Sequence, residues 1–179
     1  MTTQTDIEQA WTRIAPYVRV TPVMQMERGA FGTLPDSEIY LKFEMMQHTG
    51  SFKARGAFNG MLSHTVPANG VITASGGNHG AAVAYAAQIL GSPAEIFVPK
   101  IASPVKIERL RHYGAQVNVV GDNYLGAFAA MQIRQRETGA FTLHSYDQGT
   151  TLAGQGTCGR EFDQQVPHLD TILVACGGG

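Results

Sequence analysis

Apolar side chains recur along this chain with two alternating periods, and the alternation predicts the fold. Ile7, Ala10, Trp11 and Ile14 fall at i, i+3, i+4 and i+7, the spacing of one helix face, and Pro16 stops that helix. Over residues 38–44, Ile39, Leu41 and Phe43 alternate with Tyr40, Lys42 and Glu44, the period of a half-buried strand. The loop His48-Thr49-Gly50 leads into residues 51–62, where Phe52, Ala57, Phe58, Met61 and Leu62 suit a packed helix.

Beyond Pro67 the alternation becomes regular. Strands are expected at 71–74, 95–98, 117–120, 141–143 and 171–175, separated by helices at 78–90, 104–113, 124–138 and 152–165. Gly91, Gly114 and Gly139 supply C-terminal stops, and Ser103 followed by Pro104 is a helix start. Repeated strand and helix units with short connections imply an α/β fold of doubly wound parallel sheets, covered by helices on both faces. The chain carries no internal repeat, low-complexity tract or linker.

Composition narrows the function classes. A 44% hydrophobic and 15% charged chain has the side chains for a core, which argues against disorder. A net charge of -1 without Lys/Arg runs gives no electrostatic footprint for nucleic acid or an anionic membrane. No apolar run approaches the roughly 20 residues that span a bilayer. Residues 1–10 are polar and do not read as a secretory signal, and Cys158 and Cys176 have no metal-ligand spacing, so a reducing cytoplasm is expected and no metal site. Small-molecule chemistry is the class left.

Three segments carry candidate chemistry. Thr49-Gly50-Ser51-Phe52-Lys53-Ala54-Arg55-Gly56-Ala57 puts a lysine in the first turn of a helix among apolar or small neighbours. Partial desolvation favours its neutral amine, the form that attacks an aldehyde, although an ordinary surface lysine satisfies the same local sequence. Ser75-Gly76-Gly77-Asn78-His79-Gly80 lies between an apolar strand and a helix, where backbone N–H groups at the helix start make an anion site at the carboxyl end of a strand. A Gly-rich connector capped by His79 is the plainer reading. The run Cys176-Gly177-Gly178-Gly179 follows the apolar Ile172-Leu173-Val174 and reads either as a phosphate cradle or as a flexible tail. Neither Gly-x-Gly-x-x-Gly nor Gly-Lys-Ser/Thr is present, which weakens a nucleotide reading.

Together these pieces closely resemble the serine/threonine dehydratase group of the fold type II pyridoxal-phosphate enzymes, over nearly the whole chain. The resemblance implies pyridoxal 5'-phosphate as cofactor, Lys53 as its catalytic Schiff-base lysine, Phe52 near the cofactor ring and the Asn78 side chain on the ring hydroxyl. It implies that Gly177, Gly178 and Gly179 begin the phosphate loop, and that Ser75, Gly76, Gly77 and His79 hold the carboxylate of a small amino acid substrate. The family-like segments Ala153-Gly154-Gln155-Gly156-Thr157 and Ser103-Pro104-Val105-Lys106, with Pro99, aid recognition more than assignment.

Departures are informative too. Relatives that racemise serine resemble Ser-Ser-Gly-Asn-His at 75–79, with a second serine able to return a proton; Gly76 offers no acid or base, which favours elimination. Ala54 argues against a beta-replacing synthase, since cysteine-synthesising relatives tend to have Asp there. The activity implied is a lyase that removes water and then ammonia from a threonine- or serine-like substrate to give a 2-oxo acid. A racemase, a beta-replacing synthase or a catalytically incomplete binding module are the alternatives. The resemblance further implies a large domain from residues 1–65 and 145–179, truncated in its phosphate loop, and a complete small mobile domain at 66–144. The pyridine-nitrogen partner and any cation site would lie outside the chain. A covering carboxyl-terminal segment or second polypeptide is expected beside 171–175, and a homodimer or higher homo-oligomer.

Overall fold

The structure, a computed structural model, describes residues 1–32 and 37–175. Thr3 and Asp6 cap each other's backbone N–H groups, so helix α1 (Gln4–Ile14) starts just before its first apolar residue and buries Ala10 and Ile14. Strands β1 (Val23–Gln25) and β2 (Tyr40–Lys42) pair antiparallel, with Met24 opposite Leu41. The strand expected over 38–44 is therefore shorter than its pattern. Its three-residue partner β1 is too brief to register as a period.

After two short 3-10 turns (Glu44–Met46 and His48–Gly50) comes helix α2 (Lys53–Leu62). The regular part follows: β3 (Val71–Ala74), α3 (Asn78–Leu90), β4 (Ala94–Val98), α4 (Pro104–His112), β5 (Gln116–Val119), α5 (Tyr124–Thr138), β6 (Phe141–Thr142) and α6 (Gly149–Gln165). Ser103 does stand at the N-cap of α4, but its side chain makes no capping bond.

The four strands form one parallel sheet in the order β5-β4-β3-β6. The chain steps outward from β3 to β4 to β5 and then returns to the far side of β3. Right-handed crossovers put α3 and α4 on one face during the outward steps and α5 on the other during the return. The core obeys this. Val71, Ile96 and Val98 pack with Ala82, Val83, Ala86 and Leu110, whereas Ile72, Ala74 and Phe97 pack with Ala127 and Met131. The reversal lies between β3 and β6, the place where open α/β sheets bind ligands.

The strand expected over 171–175 does not form. These residues have no regular structure and are exposed, Leu173 at 88% and Val174 at 78%. A strand is completed by the N–H and C=O groups of a neighbour, and among the described residues no strand stands beside this stretch. Cys176, Gly177, Gly178 and Gly179 lie outside the described residues, so the expected phosphate cradle does too.

A buried charge cluster joins the amino-terminal part to α6. Arg55, with no exposed surface, donates to Glu44 through Nε (2.9 Å) and Nη2 (2.7 Å), and to Glu161 through Nη1 and Nη2 (both 3.0 Å). Lys42 donates to Glu161, to the Thr21 carbonyl (2.8 Å) and to Gln165 (2.6 Å). Thr21 adds its backbone N–H to Glu161 (2.9 Å) and its hydroxyl to Glu44 (2.6 Å). Burial alone would raise the Glu161 carboxyl; hydrogen bonds from Arg55 and Lys42 outweigh it and hold the carboxyl below its ordinary value. Two cations and two carboxylates cancel, so the cluster is neutral as a unit.

Glycines bring α2 and α6 together. A Cβ on Gly154 would lie 2.6 Å from the Arg55 carbonyl and 2.9 Å from the Gly56 Cα, so only glycine permits this crossing. Replacing Arg55 by Met should leave Glu161 with Lys42 alone and Glu44 without a cation, at a cost of roughly 3–5 kcal/mol. Urea unfolding of the two proteins measures it, and a loss under about 1 kcal/mol would show that the cluster is dispensable.

Candidate active site

Lys53 is the first residue of α2. Its helix starts at Phe52 without a side-chain cap, and the N–H groups of Ala54 and Arg55 are taken up instead by the carbonyls of Ser51 (3.5 Å) and Phe52 (3.0 Å). The side chain is half-buried, and burial holds its pKa below the ordinary 10.5. Nζ lies 4.8 Å from the Phe52 ring centre and donates to the Ser145 carbonyl at 2.8 Å. That burial favours the free amine.

The approach to Lys53 is strained. Thr49 and Gly50 both have positive φ, 60° and 71°, and a β-branched residue rarely adopts that region. Arg109 of α4 donates to the Thr49 carbonyl and holds the turn. The side-chain oxygens of Thr49 and Ser51 are buried without a protein partner.

The turn after β3 lies at the sheet's reversal. Gly77 caps α3 with no side-chain bond, leaving the first-turn N–H groups uncapped by protein side chains, and Ser75 Oγ accepts from Gly77 N at 3.3 Å. A Cβ on Gly80 would sit 1.9 Å from the Ser75 carbonyl, so a side chain at position 80 would break the turn. Gly77 and Asn78 lie at the surface.

His79 differs from its neighbours. It is 4% exposed, and its Nε2 meets the Leu143 carbonyl at 3.0 Å, so Nε2 carries the proton and Nδ1 is left unpartnered. Burial pushes its pKa down to about 4; the Leu143 bond opposes this, and Lys53 and His144 add to it. His79 is therefore an uncharged, structural residue rather than a surface cap, and because it bonds the Leu143 carbonyl while Lys53 bonds that of Ser145, the two expected segments meet on one stretch of backbone. A carboxylate would meet the turn's backbone before it met this imidazole.

Sequence reasoning missed the segment that joins them. The chain leaving β6 offers three successive carbonyls, each bound by side chains: Leu143 by Thr73 (2.9 Å) and His79, His144 by Thr151 (3.2 Å), and Ser145 by Lys53 and Gln155 (2.9 Å). Backbone acceptors leave no signature in residue type. A cleft of about 490 Å³ between α1, α2 and α6 is lined by none of the predicted site residues.

A sequence profile described as "Pyridoxal-phosphate dependent enzyme" matches residues 14–179. The chain belongs to the pyridoxal-phosphate dependent enzyme family. It is 42% identical to the L-threonine ammonia-lyase of Geobacter sulfurreducens over 97% of this chain and 43% of that protein. Among solved structures it resembles maize serine racemase (35% identity, TM-score 0.87, 94% of this chain and 51% of that one). It also resembles the serine racemase of Dictyostelium discoideum (34% identity, TM-score 0.86, 94% and 55%). The chain spans about half the length of the curated relatives it matches. Among the described residues no helix is long and apolar enough to cross a membrane.

The residues present fit the family's cofactor. A desolvated amine suits its aldehyde, and an uncapped helix start within a glycine turn suits anionic groups.

Because folded His79 refuses a proton that the unfolded chain accepts near 6.5, its contribution to stability is complete above pH 6.5. That contribution falls as the pH drops toward about 4. The loss amounts to roughly 3 kcal/mol at most. Unfolding free energies measured between about pH 7 and pH 4 should decline less steeply in His79→Gln; equal slopes would refute a buried neutral imidazole.

Proposed function

We propose that the protein is a pyridoxal-phosphate-dependent lyase that removes water and then ammonia from a threonine- or serine-like amino acid, giving a 2-oxo acid. One observation carries this reading: the half-buried amine of Lys53 bonds the backbone leaving β6 at the sheet's reversal, two residues from the Leu143 carbonyl that His79 of the 75–79 turn bonds. Similarity to the Geobacter sulfurreducens L-threonine ammonia-lyase supports the reaction class. Pyridoxal phosphate bound there supplies the electron sink for negative charge developing at the substrate's alpha carbon.

Lys53 is the residue that would hold the cofactor, and its free amine would be the base for the alpha proton. Phe52, whose ring centre lies 4.8 Å from Nζ, would flank the cofactor, and the Asn78 amide would serve its hydroxyl. Ser75, Gly76, Gly77 and the first-turn N–H groups of α3 hold the substrate carboxylate, with His79 keeping the turn in place by its bond to Leu143. Fixing the carboxylate would set the orientation of the substrate and so select which bond at its alpha carbon is broken. Gly177, Gly178 and Gly179 begin the phosphate loop in this reading. Residues 66–144 form the small domain, and 1–65 with 145–179 belong to the large one, whose further chain covers Leu173 and Val174.

Pyridoxal phosphate followed by borohydride should place a pyridoxyl group on Lys53 of the full-length protein, located by peptide mass spectrometry. Lys53→Ala should lose that label and at least roughly 10²–10⁴-fold of oxo acid formation. Equal labelling of the variant would sink the assignment.

Serine racemase is the second reading, favoured by the likeness to the maize enzyme. Gly76 separates the two. A Cβ there would meet Val98 Cγ1 at 3.4 Å and Ala102 Cβ at 3.6 Å, ordinary contacts, so the turn has room for a serine it does not carry. Gly76→Ser should fold normally and raise the ratio of D-serine to pyruvate formed from L-serine, read by chiral chromatography. An unchanged ratio would remove Gly76 as the discriminator.

A further inference from the structure

We propose that Gln155 is a positioning residue for Lys53, acting through the carbonyl of Ser145. The inference rests on Lys53 being the reactive amine and adds a residue to which the sequence assigns no role. Gln155 Nε2 and Lys53 Nζ donate to the same oxygen, at 2.9 and 2.8 Å. A carbonyl has two lone pairs, so this pair of donors fills it. The peptide leaving β6 is then fixed, and Nζ keeps one acceptor at one place.

Space for this arrangement is built into the helix crossing. A Cβ on Gly56 would lie 3.0 Å from both Cγ and Nε2 of Gln155, so glycine at 56 lets the Gln155 side chain pass from α6 to the Ser145 carbonyl. The neighbouring carbonyls of Leu143 and His144 are held by Thr73, His79 and Thr151, which leaves Ser145 as the one of the three that the amine uses.

Sharing the oxygen has a chemical consequence. The positive end of the Gln155 amide dipole competes with a charged ammonium for the same lone-pair density, and less with a neutral amine. Gln155 thus adds to the bias toward the free base that burial already gives. The titratable groups around this stretch are His79 of α3 and, beyond β6, His144, Tyr146 and Asp147, whose backbone N–H bonds His144 Nδ1 at 3.0 Å; burial alone sets the direction of the Lys53 shift, with no carboxylate acting to restore the ammonium.

The test uses the full-length protein without added cofactor. Lys53 acetylation by trace acetic anhydride is followed against pH by peptide mass spectrometry, in wild type, Gln155→Met and Gln155→Glu. Gln155→Glu replaces the donor by a negative acceptor and should raise the Lys53 titration midpoint by about one unit, lowering labelling at neutral pH about tenfold. Gln155→Met keeps the length, loses the donor and should shift it in the same direction by less. A purely structural role would lower the melting temperature and leave both midpoints where wild type has them; that result overturns the proposal. Borohydride trapping of pyridoxal phosphate on wild-type Lys53 is scored separately. Absence of trapping with a shifted midpoint therefore sinks the cofactor reading and leaves Gln155 in place.

Discussion

The Arg55 clamp is the constraint from which the rest of the site follows. A guanidinium without solvent contact must be neutralised by carboxylates brought to it, and its planar fork accepts them only in fixed geometry. Glu44 comes from the turn after β2 and Glu161 from α6, so one side chain dictates where three pieces of chain meet. Such a cluster adds little net stability compared with an apolar core of equal volume. Its value is registry, because Arg55 stands two residues after Lys53 on α2 and fixes the position along the helix from which the amine starts. The glycine crossing at Gly56 and Gly154 then fixes the distance between α2 and α6.

Sheet topology supplies the other half of the arrangement. Crossover handedness sends α3 to one face and α5 to the other, which parts the chains leaving β3 and β6. The gap is where the 75–79 turn and the Leu143, His144 and Ser145 carbonyls face a shared region. Lys53 does not belong to the sheet at all. It reaches that region from α2, so the site is assembled between the sheet and a helix carried by another part of the chain.

Much of this was legible in residue order, for identifiable reasons. Helices α3 and α5 were bounded correctly because glycines at 91 and 139 adopt the left-handed conformation that ends a helix, and few other residues do so without strain. Lys53 and the 75–79 turn stood out because their chemistry depends on residue type. The failures have causes as definite. An apolar run such as 171–175 records a wish for burial but not the presence of a neighbour, and β1 was too short to show a period. Arg55 looked like one polar position in a small-residue helix, since nothing local announces that Glu161, 106 residues away, will meet it. Ser145 acts through its backbone, which every residue possesses.

Two demands on the site look opposed and are met by one device. The lysine must lose its proton to react, which asks for a positive or apolar environment, while the substrate and cofactor bring negative groups that ask for cations. A lysine or arginine added to bind those groups would do both, but would bring a flexible side chain with its own hydration. Here the start of α3, closed by no side-chain cap, adjoins the run of backbone from Leu143 to Ser145 that the Lys53 amine also reaches. Its N–H dipoles are fixed partial positive charges, attractive to a carboxylate and unfavourable to an ammonium. His79 completes the logic by remaining neutral: protonated, it would strengthen anion binding but would need hydration that its burial denies. The backbone thus supplies positive potential without a titratable cation, and the amine of Lys53 is left as the group whose charge state the chemistry can change.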